Sequence, residues 1–514
     1  MTTTVKTSKG ELRGTAEGGL HVFRGIPFAR PPVGELRFRV PQEVASWQGV
    51  RDATRFGSRA MQVPNEALES ILGRAEDQPP LGEDCLYLNV WTPGLDDRRR
   101  PVMVWIHGGG FTIGAGSDAI YDGSALASRD AVVVTINYRL GPFGFLHAAG
   151  LADSPEAFAA NFGMLDQIAA LKWVQSEIAA FGGDPGNVTI FGESAGAMSV
   201  GVLLASPPAS GLFHKAILQS GAAHQALTEE LAVTNATAFA EALGTAELDG
   251  GSLRARPAAE LLEAQVKMEA EAAQATRRGL GLGLRFQPVI DGRVISQLPI
   301  EHVRGGSAKD IPVLIGTTLD EYKLFAVMMP RLREISEDEA AKRFSWMLPG
   351  RDIERARSLL GGYRKARAAR GEPDDPYETV CAAVTDWLFR VPADRLAEAQ
   401  SSHLDRVFAY RLDWRSPVGE GILGACHAID LPFVFGTQRL ARRWVGQGDD
   451  VDALATRVGD AWVAFARNGD PSTDSLPWPQ FDAAGRKTMV LDRECRVEER
   501  PHEDERRCWD GVIP

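Results

Sequence analysis

Apolar residues along the chain gather in short, almost unbroken runs, separated by longer stretches in which they recur every three or four positions. The runs at 101–106, 131–137, 187–191, 215–219 and 311–316 are rich in β-branched side chains. Segments this short and this apolar fit strands buried on both faces, as in a parallel sheet. The run 85–91 alternates and predicts one more strand. Between two of these runs, 161–181 carries Leu165, Ile168, Leu171, Val174 and Ile178 at helical spacing. Strand, helix, strand in this order predicts a parallel sheet covered by helices. Residues 5–28 predict a β-rich entry broken by glycines. Residues 228–278, rich in Ala, Glu and Leu, predict amphipathic helices, and 286–292 a return to extended structure. Residues 335–370 predict charged helices in a solvated outer layer, and 406–412 the final strand. The stretch 56–83 is irregular, with one short helix expected at 65–72.

The run 187–191 leads into Gly192-Glu193-Ser194-Ala195-Gly196 and then into an apolar helical segment. A strand that turns sharply into a helix at G-x-S-x-G holds its serine in a strained conformation, and a side chain two residues to either side would collide across the turn. The helix start favours the negative charge that develops when the hydroxyl attacks a carbonyl. The run 101–106 ends in His107-Gly108-Gly109-Gly110-Phe111. A tight turn explains one glycine pair; three glycines also leave backbone N–H groups bare enough to approach an oxyanion. His107 precedes these donors and reads as structural.

A nucleophilic serine needs an imidazole to take its proton and a carboxylate to orient that imidazole. Six histidines follow Ser194, and only His427 comes after both a late strand and a glycine-rich loop. A surface histidine is the competing reading. For the acid, Asp320 and Glu321 both follow the run 311–316, and alternation does not choose between them.

Composition narrows the class. Hydrophobic residues at 44% and charged residues at 24% suit a soluble globular chain. A net charge of -12 excludes a phosphate-neutralising groove, so Arg98-Arg99-Arg100 reads as a solvated loop. Five scattered cysteines make neither a disulfide framework nor a metal site. With no apolar leader and no run of about 18 apolar residues, a cytoplasmic enzyme without a membrane span is expected.

The motifs Phe23-Arg24-Gly25-Ile26-Pro27-Phe28-Ala29, Gly82-Glu83-Asp84-Cys85, His107-Gly108-Gly109-Gly110-Phe111, Asn137-Tyr138-Arg139, Phe191-Gly192-Glu193-Ser194-Ala195-Gly196, Gly316-Thr317-Thr318-Leu319-Asp320-Glu321 and Gly424-Ala425-Cys426-His427 together resemble the type-B carboxylesterase/lipase family, near its bacterial para-nitrobenzyl esterases. The likeness runs through 462–471. It implies an α/β-hydrolase fold: a large, mostly parallel central sheet flanked by helices, with the β-rich entry and helical insertions, as one domain over 1–514. The loop 56–84 would flank the active site, and a mainly helical insertion at 228–345 would form cap or pocket subdomains.

The resemblance also implies Ser194 as nucleophile, His427 as base and Glu321, not Asp320, as its acid. The oxyanion hole would be the N–H groups of Gly109, Gly110 and Ala195. Glu193 either adds a buried charge beside the nucleophile or is tied into structural hydrogen bonds. Arg139 with Asp166, and Arg37 or Arg39 with Glu83, resemble structural ion pairs. Exported members pair the cysteine matching Cys85 with one about 25 residues earlier, where Ala60-Met61-Gln62 stands here, so no disulfide is expected. No tryptophan lies between Met61 and Asp84, which disfavours choline esters.

The expected activity is cofactor-free hydrolysis of small to medium apolar esters through an acyl-enzyme, with Phe111, Phe143, Phe145 and 265–330 near the pockets, though such stripes are more often plain core. No metal or nucleic-acid partner is expected, and the oligomer is a monomer or small homo-oligomer. The same site could serve a carbamate, aryl amide or specialised ester. A non-catalytic adhesion or scaffold protein is the remote alternative, disfavoured by the intact triad, and no amphipathic lid helix suggests a long-chain lipase.

Overall fold

The computed structural model describes residues 1–64, 78–152, 158–246, 248–276 and 280–513; the short helix expected at 65–72 lies outside them. The apolar runs lie side by side. Among the described residues thirteen strands form one sheet: β1 (Thr2–Lys6), β2 (Glu11–Glu17), β3 (Leu20–Pro27), β4 (Val50–Asp52), β5 (Tyr87–Thr92), β6 (Arg100–Ile106), β7 (Val132–Ile136), β8 (Gly183–Glu193), β9 (Lys215–Gln219), β10 (Val313–Thr318), β11 (Val407–Leu412), β12 (Thr488–Leu491) and β13 (Arg496–Glu498). Their order is β1-β2-β3-β5-β7-β6-β8-β9-β10-β11-β12-β13, with β4 beside β2. From β7 to β12 every neighbour is parallel, whereas β1, β2, β3 and β5 join antiparallel, as does β13. This is the α/β-hydrolase sheet, mixed at its flanks.

Strand alternation explains why the runs read as unbroken. Val102, Val104 and Ile106 of β6 face one core, and Met103 and Trp105 face the other. Because helices cover both sides, each face is apolar and the period of two disappears into a continuous run. Helices α1 (Phe162–Glu177) and α2 (Ala195–Ala205) supply Leu171 and Val200 to the first core; Leu454, Val458 and Trp462, on a later helix, fill the second. The helix Asp449–Asn468 that carries those residues has three aspartates in its first turn, which suit the positive end of a helix.

Several expectations need correction. The strand at 406–412 is not the last: β12 and β13 follow, only four and three residues long, too short for periodicity to register. Arg100 is not in a solvated loop but opens β6, its side chain 3% exposed between Asp96 and Asp130, while Arg98 and Arg99 are exposed. Residues 335–370 form helices at Glu337–Ser345 and Ile353–Arg370, but these bury Phe344, Leu359 and Tyr363 and so have a core side. Within 228–345, helices at Glu229–Leu243, Gly250–Ala255, Ala258–Thr276 and Pro299–Arg304 precede β10, which belongs to the middle of the sheet.

Candidate active site

The triad candidates and the glycine turn lie past the carboxyl ends of parallel strands, where open α/β sheets place their chemistry. His107 follows β6, Ser194 follows β8, Glu321 follows β10 and His427 lies beyond β11. Ser194 has φ 55° and ψ -125°, between β8 and α2. The surrounding glycines are required by space: a Cβ on Gly192 would stand 2.5 Å from the Gly196 carbonyl carbon, and one on Gly196 would stand 2.0 Å from the Ile106 oxygen. The Ser194 N–H donates to the Gln219 carbonyl at 2.9 Å, and its own carbonyl accepts from Met198 N–H at 2.9 Å, opening α2.

Glu321 is fully buried and sits in the turn after β10. Its Oε1 accepts from Thr318 N–H at 2.8 Å, and its Oε2 lies 2.6 Å from His427 Nδ1. The His427 N–H donates to the Glu321 carbonyl at 3.2 Å. Asp320 takes a different role. Its Oδ2 accepts from Ala425 N–H at 3.0 Å and its own N–H donates to the Ala425 carbonyl at 2.8 Å, so it clamps the loop that carries His427. Geometry thus separates two adjacent carboxylates that the pattern left equivalent.

The other imidazole nitrogen, Nε2, is 3.0 Å from Glu193 Oε1, at an angle that makes no hydrogen bond. Both atoms are buried. Burial raises the Glu193 carboxyl above the usual carboxylate range against the pull of His427, and Asp430 and Glu321 add to the rise. Burial alone would lower His427, but the carboxylates of Glu193, Glu321 and Asp430 outweigh it and hold the ring above the ordinary histidine range. Asp430, close behind, is pushed up to about 6 by burial and by Glu321, while Gln219 and Tyr410 hydrogen-bond it at 2.9 and 3.0 Å. The Ser194 hydroxyl makes no hydrogen bond to His427 in this structure; such contacts are often long before substrate binds.

The glycine turn starts against Ser194. A Cβ on Gly108 would stand 3.2 Å from Ser194 Cβ, while Gly109 and Gly110 take φ 107° and 61°, backbone that a side chain disfavours. The N–H groups of Gly109 and Gly110 have no acceptor among the described residues. Ala195, first residue of α2, has an N–H with no intrahelical partner by position. His107 is buried with Nδ1 2.8 Å from the Gly108 carbonyl oxygen and its ring stacked on Tyr138, and burial lowers it to about 4. It is a neutral packing residue here.

Phe111, Phe143 and Phe145 are buried in the first core, with Phe111 edge-on to Phe145. Of the rings against His427, Phe325 lies in the stretch 265–330 expected near the pockets, and Phe389 lies outside it. Phe325 and Phe389 hold the His427 ring at centroid distances of 5.2 and 4.8 Å. Phe389 belongs to a π-helical turn, Asp386–Arg390, and no sequence signal marked it. Glu193 was noticed as a neighbour of Ser194, but its contact with His427 spans more than two hundred residues of chain. The ion pairs fall as expected: Arg139 grips Asp166 through two bonds of 2.7 Å, and Arg37, not Arg39, meets Glu83. Among the described residues one cluster has metal-ligand spacing, Glu372, His502 and Glu505, and it shares no member with this site.

The chain is similar over nearly its whole length to known proteins. The model of the Carboxylesterase family matches residues 1–509. A para-nitrobenzyl esterase of Bacillus subtilis (strain 168) is 41% identical over 98% of this chain and 97% of its own. A phenmedipham hydrolase of Pseudarthrobacter oxydans is 39% identical over 94% of each. Among solved structures, a Geobacillus stearothermophilus carboxylesterase superposes with a TM-score of 0.85 at 41% identity, covering 99% of this chain and 100% of that one.

Proposed function

The chain belongs to the carboxylesterase family and is a carboxylic-ester hydrolase, and from that premise we propose that Ser194, His427 and Glu321 form its triad, acting on small to medium apolar esters through an acyl-enzyme. Ser194 Oγ attacks the ester carbonyl carbon while His427 Nε2 takes its proton. The carbonyl oxygen becomes an oxyanion held by the N–H groups of Gly109, Gly110 and Ala195, each worth about 10² to 10³ in rate. The imidazolium then protonates the leaving alkoxide and the alcohol departs, leaving Ser194 acylated. Water, losing its proton to the same nitrogen, attacks the acyl carbon; the carboxylic acid leaves and Ser194 recovers its proton. Glu321 fixes the tautomer that leaves Nε2 free for both steps.

The observation that carries this reading is the 2.6 Å contact from Glu321 to His427 Nδ1, with Nε2 without a hydrogen-bond partner beside Glu193, the residue that precedes the nucleophile. Residues 228–312 are proposed to shape the pocket, since Leu284 comes within 3.1 Å of where a Gly110 Cβ would sit, and the loop at 56–64 to brace the glycine turn through Gln62, which bonds both the N–H and the carbonyl of Gly114. A cytoplasmic location is supported by five unpaired thiols. No helix among the described residues is long and apolar enough to cross a membrane.

Hydrolysis of para-nitrophenyl esters from acetate to palmitate tests the proposal. Wild type is expected to peak at short to medium chains, and Ser194→Ala to lose about 10⁴-fold or more in kcat while unfolding at the wild-type temperature. A folded Ser194→Ala protein that keeps its activity would remove Ser194 from the mechanism.

A further inference from the structure

A cavity of about 240 Å³ borders the turn that carries Glu321, away from Ser194. Its wall brings together five basic and five acidic side chains from separate parts of the chain, with His502 and six uncharged residues between them. Its carboxylates are all engaged. Lys323 holds Asp320 at 3.2 Å and Glu378 at 3.0 Å, Arg370 holds Glu372 at 2.9 Å and Glu505 at 2.6 Å, and Arg390 holds Asp386.

What remains unused are donors. Arg390 Nε and Arg411 Nη1 are buried and have no hydrogen-bond partner, although both residues line the cavity and are only 8% and 4% exposed. The hydroxyl of Thr318, another wall residue, is unpartnered too. Arg411 is otherwise fixed by Asp413 at 2.6 and 2.7 Å and by Glu498 at 3.1 Å, so it cannot turn away to find a bond. Arg415 adds an exposed guanidinium that makes no ion pair among the described residues. A buried guanidinium nitrogen without an acceptor is costly, and the group that relieves it must bring lone pairs and preferably negative charge. His502 lies in the same wall, where burial lowers its pKa and Arg390 and Arg411 add to the fall against the pull of Glu505.

We propose that this cavity binds a small oxyanion, a phosphate or a carboxylate, between Arg390, Arg411 and Arg415. A divalent cation on Glu372, His502 and Glu505, whose ligand atoms lie within 4.8 Å of one another, is the opposite reading. It is disfavoured because both carboxylates are already neutralised by arginines. The site adjoins the catalytic acid: Thr318 both lines the cavity and donates its N–H to Glu321, so occupancy steadies the turn that holds His427.

The test is thermal unfolding of the full chain in phosphate and in acetate, against chloride at matched pH and ionic strength. The two arms separate an inorganic phosphate from a carboxylate ligand. A saturable rise in Tm is expected with one of them, with apparent affinity weakened about tenfold or more in Arg415→Gln and Arg411→Gln, the loss expected when a charge-assisted bond is removed. Because Arg411→Gln strands Asp413 and can fail to fold, the exposed Arg415→Gln decides alone in that event. The loss in Arg415→Gln also separates this cavity from anion binding at Ser194. No saturable rise in wild type overturns the proposal, meaning that water alone fills the space. So does a rise undiminished in Arg415→Gln, or stabilisation by Zn²⁺ or Mn²⁺ that is lost in His502→Ala.

Discussion

Asp166 and Glu193 are both carboxylates buried against the same sheet, each facing a basic side chain, and they are held in opposite ways. Both oxygens of Asp166 accept hydrogen bonds, from Arg139 N–H, Nε and Nη2 at 2.7 to 3.0 Å. Glu193 Oε1 sits 3.0 Å from His427 Nε2 with no hydrogen bond at all. The first arrangement satisfies both carboxylate oxygens and opposes, without cancelling, the rise that burial causes at Asp166. The second leaves a carboxylate oxygen and an imidazole nitrogen side by side with no bond between them, next to Ser194 in the chain. Burial alone therefore does not mark a functional carboxylate; burial with an unused bond beside a titrating partner does.

Substitutions test this contrast. The largest effect is expected at Glu321, where Glu321→Gln should lower kcat by about 10⁴-fold by stabilising the wrong imidazole tautomer, with the fold intact by circular dichroism. At Asp166 the effect should fall on stability instead. Asp166→Ala strands Arg139 in the interior and should cost about 3 to 5 kcal/mol in denaturant unfolding, with the folded fraction still active. Glu193→Gln should do the least. Removing the anion that favours imidazolium lowers the His427 pKa, so base is available at lower pH and the acid limb of kcat/KM should move down by about one unit, with little loss of stability. If Glu193→Gln instead behaved like Asp166→Ala, with a large stability loss and no pH displacement, the two carboxylates would be of one kind.

The parts of the site legible in the sequence were those built from contiguous residues. Gly192 and Gly196 announced the elbow because their space is closed by Gly196 and Ile106, within or beside the motif. The three glycines after β6 were legible for the same reason. The assignment of Glu321 over Asp320 rested on resemblance, because both follow the same strand and only the partner at 425 or 427 distinguishes them. What sequence reasoning missed is long-range: the Glu193 to His427 contact, Phe389 from a π-turn against the histidine ring, and a charged cavity walled from residues near 320, 370, 390, 411 and 505. The buried strands were read correctly from composition, but β12 and β13 are held by their neighbours more than by their own propensity. Arg100 looked solvated because its partners Asp96 and Asp130 gave no local pattern.

The sheet also carries a consequence for how the molecule behaves among copies of itself. Among the described residues, the strand path that runs through the sheet ends in two rims at which a foreign strand could add. One rim is β1, whose residues are three threonines, a valine and a terminal lysine; the other is β13, three residues long with Arg496 and Glu498 around Val497. Short, polar or charged rims offer an incoming chain too few backbone bonds and no apolar strip to lie against. A crowded solution of this protein should therefore resist growing by edge-on strand addition, and its very wide sheet stays the property of a single molecule.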